Sequence, residues 1–169
     1  MPFQTKQLSE SAFCQVIAAA PLVSIDLIIT NPTGQILLGQ RRNRPAQGYW
    51  FVPGGRIRKN ERLAQAMERI AMNELACIPT PQRMLGAFDH MYADNFAGKA
   101  DLPTHYVGLG YHCLLTDDAH TRPLMADTQH NALRWWNAET LLASNVVHPY
   151  TKTYIEILRS NAPSLPALG

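Results

Sequence analysis

Apolar and polar positions change period several times along this chain, and each change predicts an element. Residues 8–20 (LSESAFCQVIAAA) read as a short helix with Ser9 or Ser11 near its cap, stopped by Pro21. Leu22 to Thr30 (LVSIDLIIT) is rich in β-branched residues and predicts a strand. Asn31-Pro32-Thr33-Gly34 is turn chemistry, and Gln35 to Arg41 reads as the return strand. A loop over 42–49 leads to a short strand, Trp50 to Val52, which ends at Pro53-Gly54-Gly55 and opens a second loop. Residues 60–76 predict a helix with Asn60 as N-cap and Glu61 at the positive end of its dipole, closed by Pro79 and Pro81. Met84–Met91, His105–Leu115 and Ala132–Asn137 read as strands, and Glu139–Ser144 and Pro149–Arg159 as closing helices. Strands and helices are interleaved, which predicts an α/β fold: a mixed sheet covered by helices on both faces. One domain over 1–169 is expected, with an N-terminal extension at 1–20 and a loose tail at 160–169.

Bulk properties narrow the function classes. Hydrophobic residues make up 46% of the 169 and charged residues 17%, a globular balance. Net charge is +2 without a basic stripe, so a nucleic-acid partner is not expected. Arginines cluster locally at Arg41, Arg42 and Arg44, and at Arg56 and Arg58. Such a cluster suits a small anionic ligand, and a solvated loop face is the equal alternative. Cys14, Cys77 and Cys113 are odd in number and widely spaced, which argues for buried small hydrophobes over a disulfide framework or a zinc site. No apolar run approaches the roughly 18 residues of a membrane span, and the N-terminus lacks signal-peptide order. The expected location is the cytoplasm.

The helix at 60–76 carries the candidate chemistry. At about 100° per residue, Leu63, Met67 and Ile70 form an apolar stripe, with Ala66 and Ala71 beside it. Glu74 falls on the same stripe. A core-facing carboxylate is costly unless a cation or donor meets it; the alternative is a side chain that snorkels at the helix end or pairs with an arginine. Gly54 and Gly55 lie just upstream. Glycine permits close backbone approach, so a glycine carbonyl can face a metal that a helix carboxylate also reaches. Mg²⁺ takes oxygen ligands in octahedral geometry and keeps several waters.

Gly55, five residues, Glu61, seven residues, Arg69 and then Glu74 resemble the Nudix hydrolase box, a glycine-loop-helix that holds divalent cations on diphosphate substrates. Ile70 and Asn73 stand where the box has two further carboxylates, and Ala76 where it has a glycine. Those departures resemble the GDP-mannose mannosyl hydrolases of the family. So do Pro21-Leu22-Val23-Ser24, the long run from Asn43 to Arg56, Asp94-Asn95-Phe96, Thr104-His105-Tyr106-Val107 and Gln129-His130. The resemblance implies a Nudix-type α/β/α sandwich, a homodimer and one Mg²⁺, with Mn²⁺ as a substitute. It implies hydrolysis of a nucleotide sugar, GDP-mannose or GDP-glucose, to GDP and free sugar with inversion.

Roles follow from the same resemblance. Gly54, Glu74 and Gln129 are the expected metal ligands. His130 is the expected general base; a free histidine titrates near pH 6.5 and can accept a proton at neutral pH. Arg41, Arg56 and Tyr106 are expected to stabilise the departing diphosphate, arginine offering a fork matched to phosphate oxygens. Asp26 and His90 are assigned to sugar-side or base-side contacts, and Arg69 to a supporting pair with a carboxylate, a purely structural pair being an equally good account. The rival expectations are a pyrophosphatase that cuts P–O, and a non-catalytic sensor of nucleotide sugars.

Overall fold

The computed structural model describes residues 8–116 and 130–160, and at positions 130 and 131 the backbone alone. Its elements are α1 (Glu10–Ala19), β1 (Leu22–Thr30), β2 (Ile36–Arg41), β3 (Trp50–Phe51), β4 (Gly54–Arg56), α2 (Leu63–Leu75), β5 (Thr80–Tyr92), β6 (Thr104–Leu114), β7 (His130–Trp136), α3 (Ala138–Ala143) and α4 (Pro149–Ser160). The sheet runs β3-β2-β1-β6-β5, with β7 paired to β2 and β4 to β1. β1 and β6 are parallel and the other pairs antiparallel. The sheet is therefore mixed, as expected.

Alternation along β1 feeds two cores. Ile25, Leu27 and Ile29 pack with Met67, Ile70 and Ala71 of α2. Ile28 points the other way, into a cluster with Leu38, Phe51, Tyr154 and Ile155. Helices thus cover both faces, and Asp26, two residues before Ile28, falls on the α4 side. There Tyr154 fits beneath the sheet because β6 has no side chain at Gly110. A Cβ at that position would lie 2.7 Å from the Tyr154 ring.

Several boundaries differ from expectation for local reasons. Gly54 to Arg56 form a strand, not a loop, because they hydrogen-bond to the Ser24–Asp26 stretch of β1. Asn60 is not the cap. It takes a left-handed turn (φ 65°), and α2 starts after Arg62, whose N–H meets the Gln65 side chain at 3.0 Å. Leu63 consequently sits in the first turn and is 46% exposed, outside the core stripe. β5 begins at Thr80 because Pro81 is carried on an irregular stretch of the β5–β6 ladder. Of the three cysteines only Cys113 is buried, so the expectation for Cys14 and Cys77 fails. Among the described residues, no helix is long and apolar enough to cross a membrane.

α2 ends at Ala76 in the left-handed region (φ 54°, ψ 22°), its N–H bonded to the Met72 carbonyl at 3.0 Å. A Cβ there costs about 1–2 kcal/mol, against about 0.4–1 kcal/mol for the freer unfolded chain of glycine. Ala76→Gly is expected to raise the unfolding free energy by on the order of 1 kcal/mol, measured by urea denaturation. A lower value would show that the strain is absent.

Candidate active site

Strand β4 is a thin wall between two cavities. Gly54 packs so closely on β1 that a Cβ would lie 2.6 Å from Asp26 Oδ1 and 2.7 Å from the Ile25 carbonyl. On the other face, a Cβ at Gly55 would meet Ile70 Cγ1 at 3.2 Å. Both cavities are lined by Gly54, Gly55 and Arg56.

The larger cavity, about 310 Å³, gathers six of the expected site residues: Asp26, Arg41, Gly54, Arg56, His90 and Tyr106. Arg41 comes from the end of β2, Asp26 from β1, His90 and Tyr106 from the paired positions of β5 and β6. Arg41 Nε is buried and has no acceptor among the described residues. A buried guanidinium donor in that condition is costly unless a ligand completes it. Phe13, Asn43, Arg44, Tyr92 and Phe96 supply more of the lining.

Asp26 is the cavity's strained charge. It is 6% exposed, and burial pushes its carboxyl up to about 6 despite the Tyr154 hydroxyl, which donates to Oδ2 at 2.6 Å, and the nearby Arg41. His90 Nε2 lies 3.2 Å from the same hydroxyl, and its ring stacks on Tyr150 at 4.2 Å. Burial, with help from His148, pulls His90 down to about 4, so it is neutral at pH 7. The 3.6 Å approach of His90 Nδ1 to Asp26 Oδ2 is therefore neither an ion pair nor a hydrogen bond at neutral pH. Burial also raises the Tyr106 hydroxyl, with Arg41 and Arg56 pulling the other way, which keeps it a donor.

Arg69 pairs with Glu61, in a bidentate contact of 2.6 Å (Nε–Oε1) and 2.8 Å (Nη2–Oε2). The same Nη2 donates to the Arg56 carbonyl at 2.9 Å, and Glu61 Oε2 accepts from the Arg58 N–H at 2.9 Å. This pair holds Glu61 below the usual carboxylate range. Arg69 thus fixes the exit of β4.

The smaller cavity, about 170 Å³, lies on the α2 side and is lined by Gly54, Gly55, Arg56, Arg58, Arg69, Ile70, Asn73 and Glu74. Glu74 is 2% exposed at its wall. The buried Glu74 carboxylate shares this small cavity with Gly54 and Gly55, a lining whose hard oxygen donor fits a divalent cation such as Mg²⁺. Among the described residues, no three His, Cys, Asp or Glu converge on a metal position. The expected set contains only one such residue. Gln129 lies outside the described residues. His130 opens β7 with its backbone opposite Arg41; its side chain is outside the description.

Tyr154 and Tyr92 were not anticipated from the sequence. Tyr154 had a signal: Thr151, Tyr154 and Ile155 are the buried positions of α4, at helical spacing. Tyr92 follows His90 by two on β5, so strand alternation places both on one face; Phe96 belongs to the Asp94–Phe96 run that carried the resemblance, but its place depends on the β5–β6 connection.

A family model described as "NUDIX domain" matches residues 20–157. The "Low-salt glycan biosynthesis protein Agl8" of Haloferax volcanii is 36% identical over 154 residues, covering 91% of this chain and 92% of the relative. Among solved structures, the MutT protein from Methanosarcina mazei Go1 matches with TM-score 0.67 at 20% identity, over 86% of this chain and 99% of that one. The NUDIX domain of Shewanella oneidensis NrtR, complexed with ADP ribose, matches with TM-score 0.65 at 20% identity, over 91% and 99%.

The raised Asp26 fixes a sign for stability. The folded state holds this proton more tightly than the unfolded chain, so the contribution is fully present below pH 3.8 and is lost as pH rises through about 6. Above that, the ionised carboxylate costs the fold on the order of 3 kcal/mol. Asp26→Asn keeps an acceptor for Tyr154 and is expected to be more stable than wild type at pH 8, with the gain shrinking below pH 5. His90 and His148 are pulled down to about 4, so between pH 5 and 8 both are neutral in the folded state of either protein and add nothing to the difference. Thermal unfolding across pH checks this; a pH-independent difference would show that Asp26 is not strained.

Proposed function

The chain belongs to the NUDIX domain family of hydrolases acting on nucleotide-linked substrates, and from that premise we propose that it cleaves a nucleotide sugar to nucleoside diphosphate and free sugar. GDP-mannose is the first candidate and GDP-glucose the second. The observation that carries this reading is the buried Arg41 Nε without an acceptor among the described residues, in a cavity it shares with Arg56 and Tyr106. That arrangement suits a diphosphate. The relative in Haloferax volcanii, a glycan biosynthesis protein, supports a sugar-linked substrate.

In this mechanism Arg41 and Arg56 grip the diphosphate, and Tyr106 donates to a terminal phosphate oxygen. Asp26, buried beside Gly54, accepts from a sugar or base hydroxyl or amine. His130 takes a proton from water, which attacks the anomeric carbon as the bond to the diphosphate breaks. The transition state has oxocarbenium character, and attack by water inverts the configuration. Gly54, Glu74 and Gln129 would hold Mg²⁺, which when bound neutralises charge on the departing diphosphate. A neutralised diphosphate is a good leaving group, so no protonating carboxylic acid is required. Two of the family's box carboxylates are replaced by Ile70 and Asn73, and both line the Glu74 cavity. That favours attack on carbon over attack on phosphorus, which calls for several cations.

Hydrolysis of GDP-mannose in ¹⁸O-water is expected to place the label in mannose and none in GDP. Label in the nucleotide, or GMP and sugar phosphate as products, would mean a pyrophosphatase; binding with no GDP released would mean a sensor. His130→Gln is expected to lower kcat by about 10²–10⁴-fold with KM changed little. Unchanged kcat would remove His130 from the base role.

A further inference from the structure

α1 lies outside residues 20–157, the region matched to the family, yet it sends one ring into the larger cavity. Phe13 covers the Arg56 guanidinium, with Cζ 4.6 Å from the ring centroid. We propose that Phe13 is a positioning residue that holds Arg56 in register for the diphosphate, an inference that rests on the nucleotide-sugar reading.

Arg56 needs such a restraint. Its charged neighbours include Arg58 and Arg69, which repel it, while Glu61, the carboxylate that attracts it, is already engaged by the Arg69 guanidinium and the Arg58 N–H. A flexible arginine loses rotamer freedom whenever it engages a ligand, which weakens binding. A ring over one face of the guanidinium takes away much of that freedom in advance. It leaves the N–H groups, which lie in the guanidinium plane, for phosphate oxygens. Arg41 is held otherwise: its Cζ is 6.0 Å from the Phe51 centroid, a looser contact.

The ring itself is braced. Phe96 packs on Phe13 with centroids 4.9 Å apart. Phe96 stands on a loop stapled from within by the fully buried Asn95. Its Nδ2 donates to the carbonyls of Lys99 (2.7 Å) and Leu102 (2.9 Å), and its Oδ1 accepts from the N–H groups of Ala97 and Lys99 at 3.1 Å. The line of support therefore runs from Asn95 through Phe96 and Phe13 to Arg56. Lys99 and Glu10 add an exposed pair at 3.6 Å, which contributes little.

The test is calorimetric titration of inorganic diphosphate and of GDP, each with Mg²⁺, into wild type, F13L, F13M and F13W. Leu and Met keep apolar bulk without a ring; Trp keeps the cation–π face. F13L and F13M are expected to weaken both ligands by the same factor, about three- to tenfold. F13W is expected to restore affinity to within about twofold, and F13L to have no added effect in an Arg56→Met background. Loss of GDP affinity with inorganic diphosphate unchanged would place Phe13 against the base and overturn the inference. So would unchanged affinity for both, or a full F13L effect in the Arg56→Met background. If wild type binds neither ligand, the nucleotide-sugar reading falls, and this inference with it.

Discussion

The bidentate contact of Arg69 with Glu61 fixes the short strand on which both cavities depend, because the same guanidinium also grips the Arg56 carbonyl. β4 has only three residues, two of them glycines, and little side-chain packing of its own to hold it. Its place is set by backbone pairing to β1 on one side and by this clamp on the other. The pair is mostly sheltered from water, with side-chain exposures of 23% and 8%. Partly buried pairs of this kind pay desolvation and add little net stability, but they specify geometry through fixed hydrogen bonds. Here the specified geometry is a glycine wall thin enough for the Asp26 side and the Glu74 side to share it.

Charge is distributed unevenly across that wall. The Asp26 side holds a carboxylate that burial opposes and a histidine that burial keeps neutral, both bound to one tyrosine hydroxyl. A neutral His90 cannot compensate Asp26, and Arg41 does so only in part. The fold thus keeps an ionised group where it costs stability, which is the pattern expected where binding chemistry is built in. Tyr154 makes the arrangement tolerable by donating a short hydrogen bond, and Gly110 makes room for Tyr154.

Strong local signals in the sequence carried over directly. β1 was legible to the residue because seven of its nine positions are β-branched or leucine and the run lies between a proline and a turn. Arg41, Asp26, Arg56, His90 and Tyr106 come from five strands, and no spacing rule relates them; only the resemblance united them, and the structure places them around one cavity. β4 was read as loop because three residues give no periodicity, and its strand character comes wholly from its partner. Asn60 looked like a cap by residue type. The turn into α2 instead gave Asn60 the left-handed position that asparagine also tolerates. The Phe13 contact with Arg56 joins positions far apart in sequence and had no local signature.

The smaller cavity sets a limit on how cations can bind there. Among the described residues Glu74 is the one carboxylate lining it, against the guanidiniums of Arg56, Arg58 and Arg69, and Glu61 already neutralises Arg69. Ile70 packs on Gly55 and belongs to the apolar cluster beneath β1, so that position contributes volume in place of charge. Asn73 contributes neutral oxygen and nitrogen. Among the described residues, two divalent ions in this cavity would meet a single fixed negative charge amid positive ones, an unfavourable balance in a partly buried setting. The missing negative charge must then arrive with the ligand. In the proposed reading a diphosphate gripped by Arg41 and Arg56 across the glycine wall would supply it, which would couple retention of one cation to the presence of substrate.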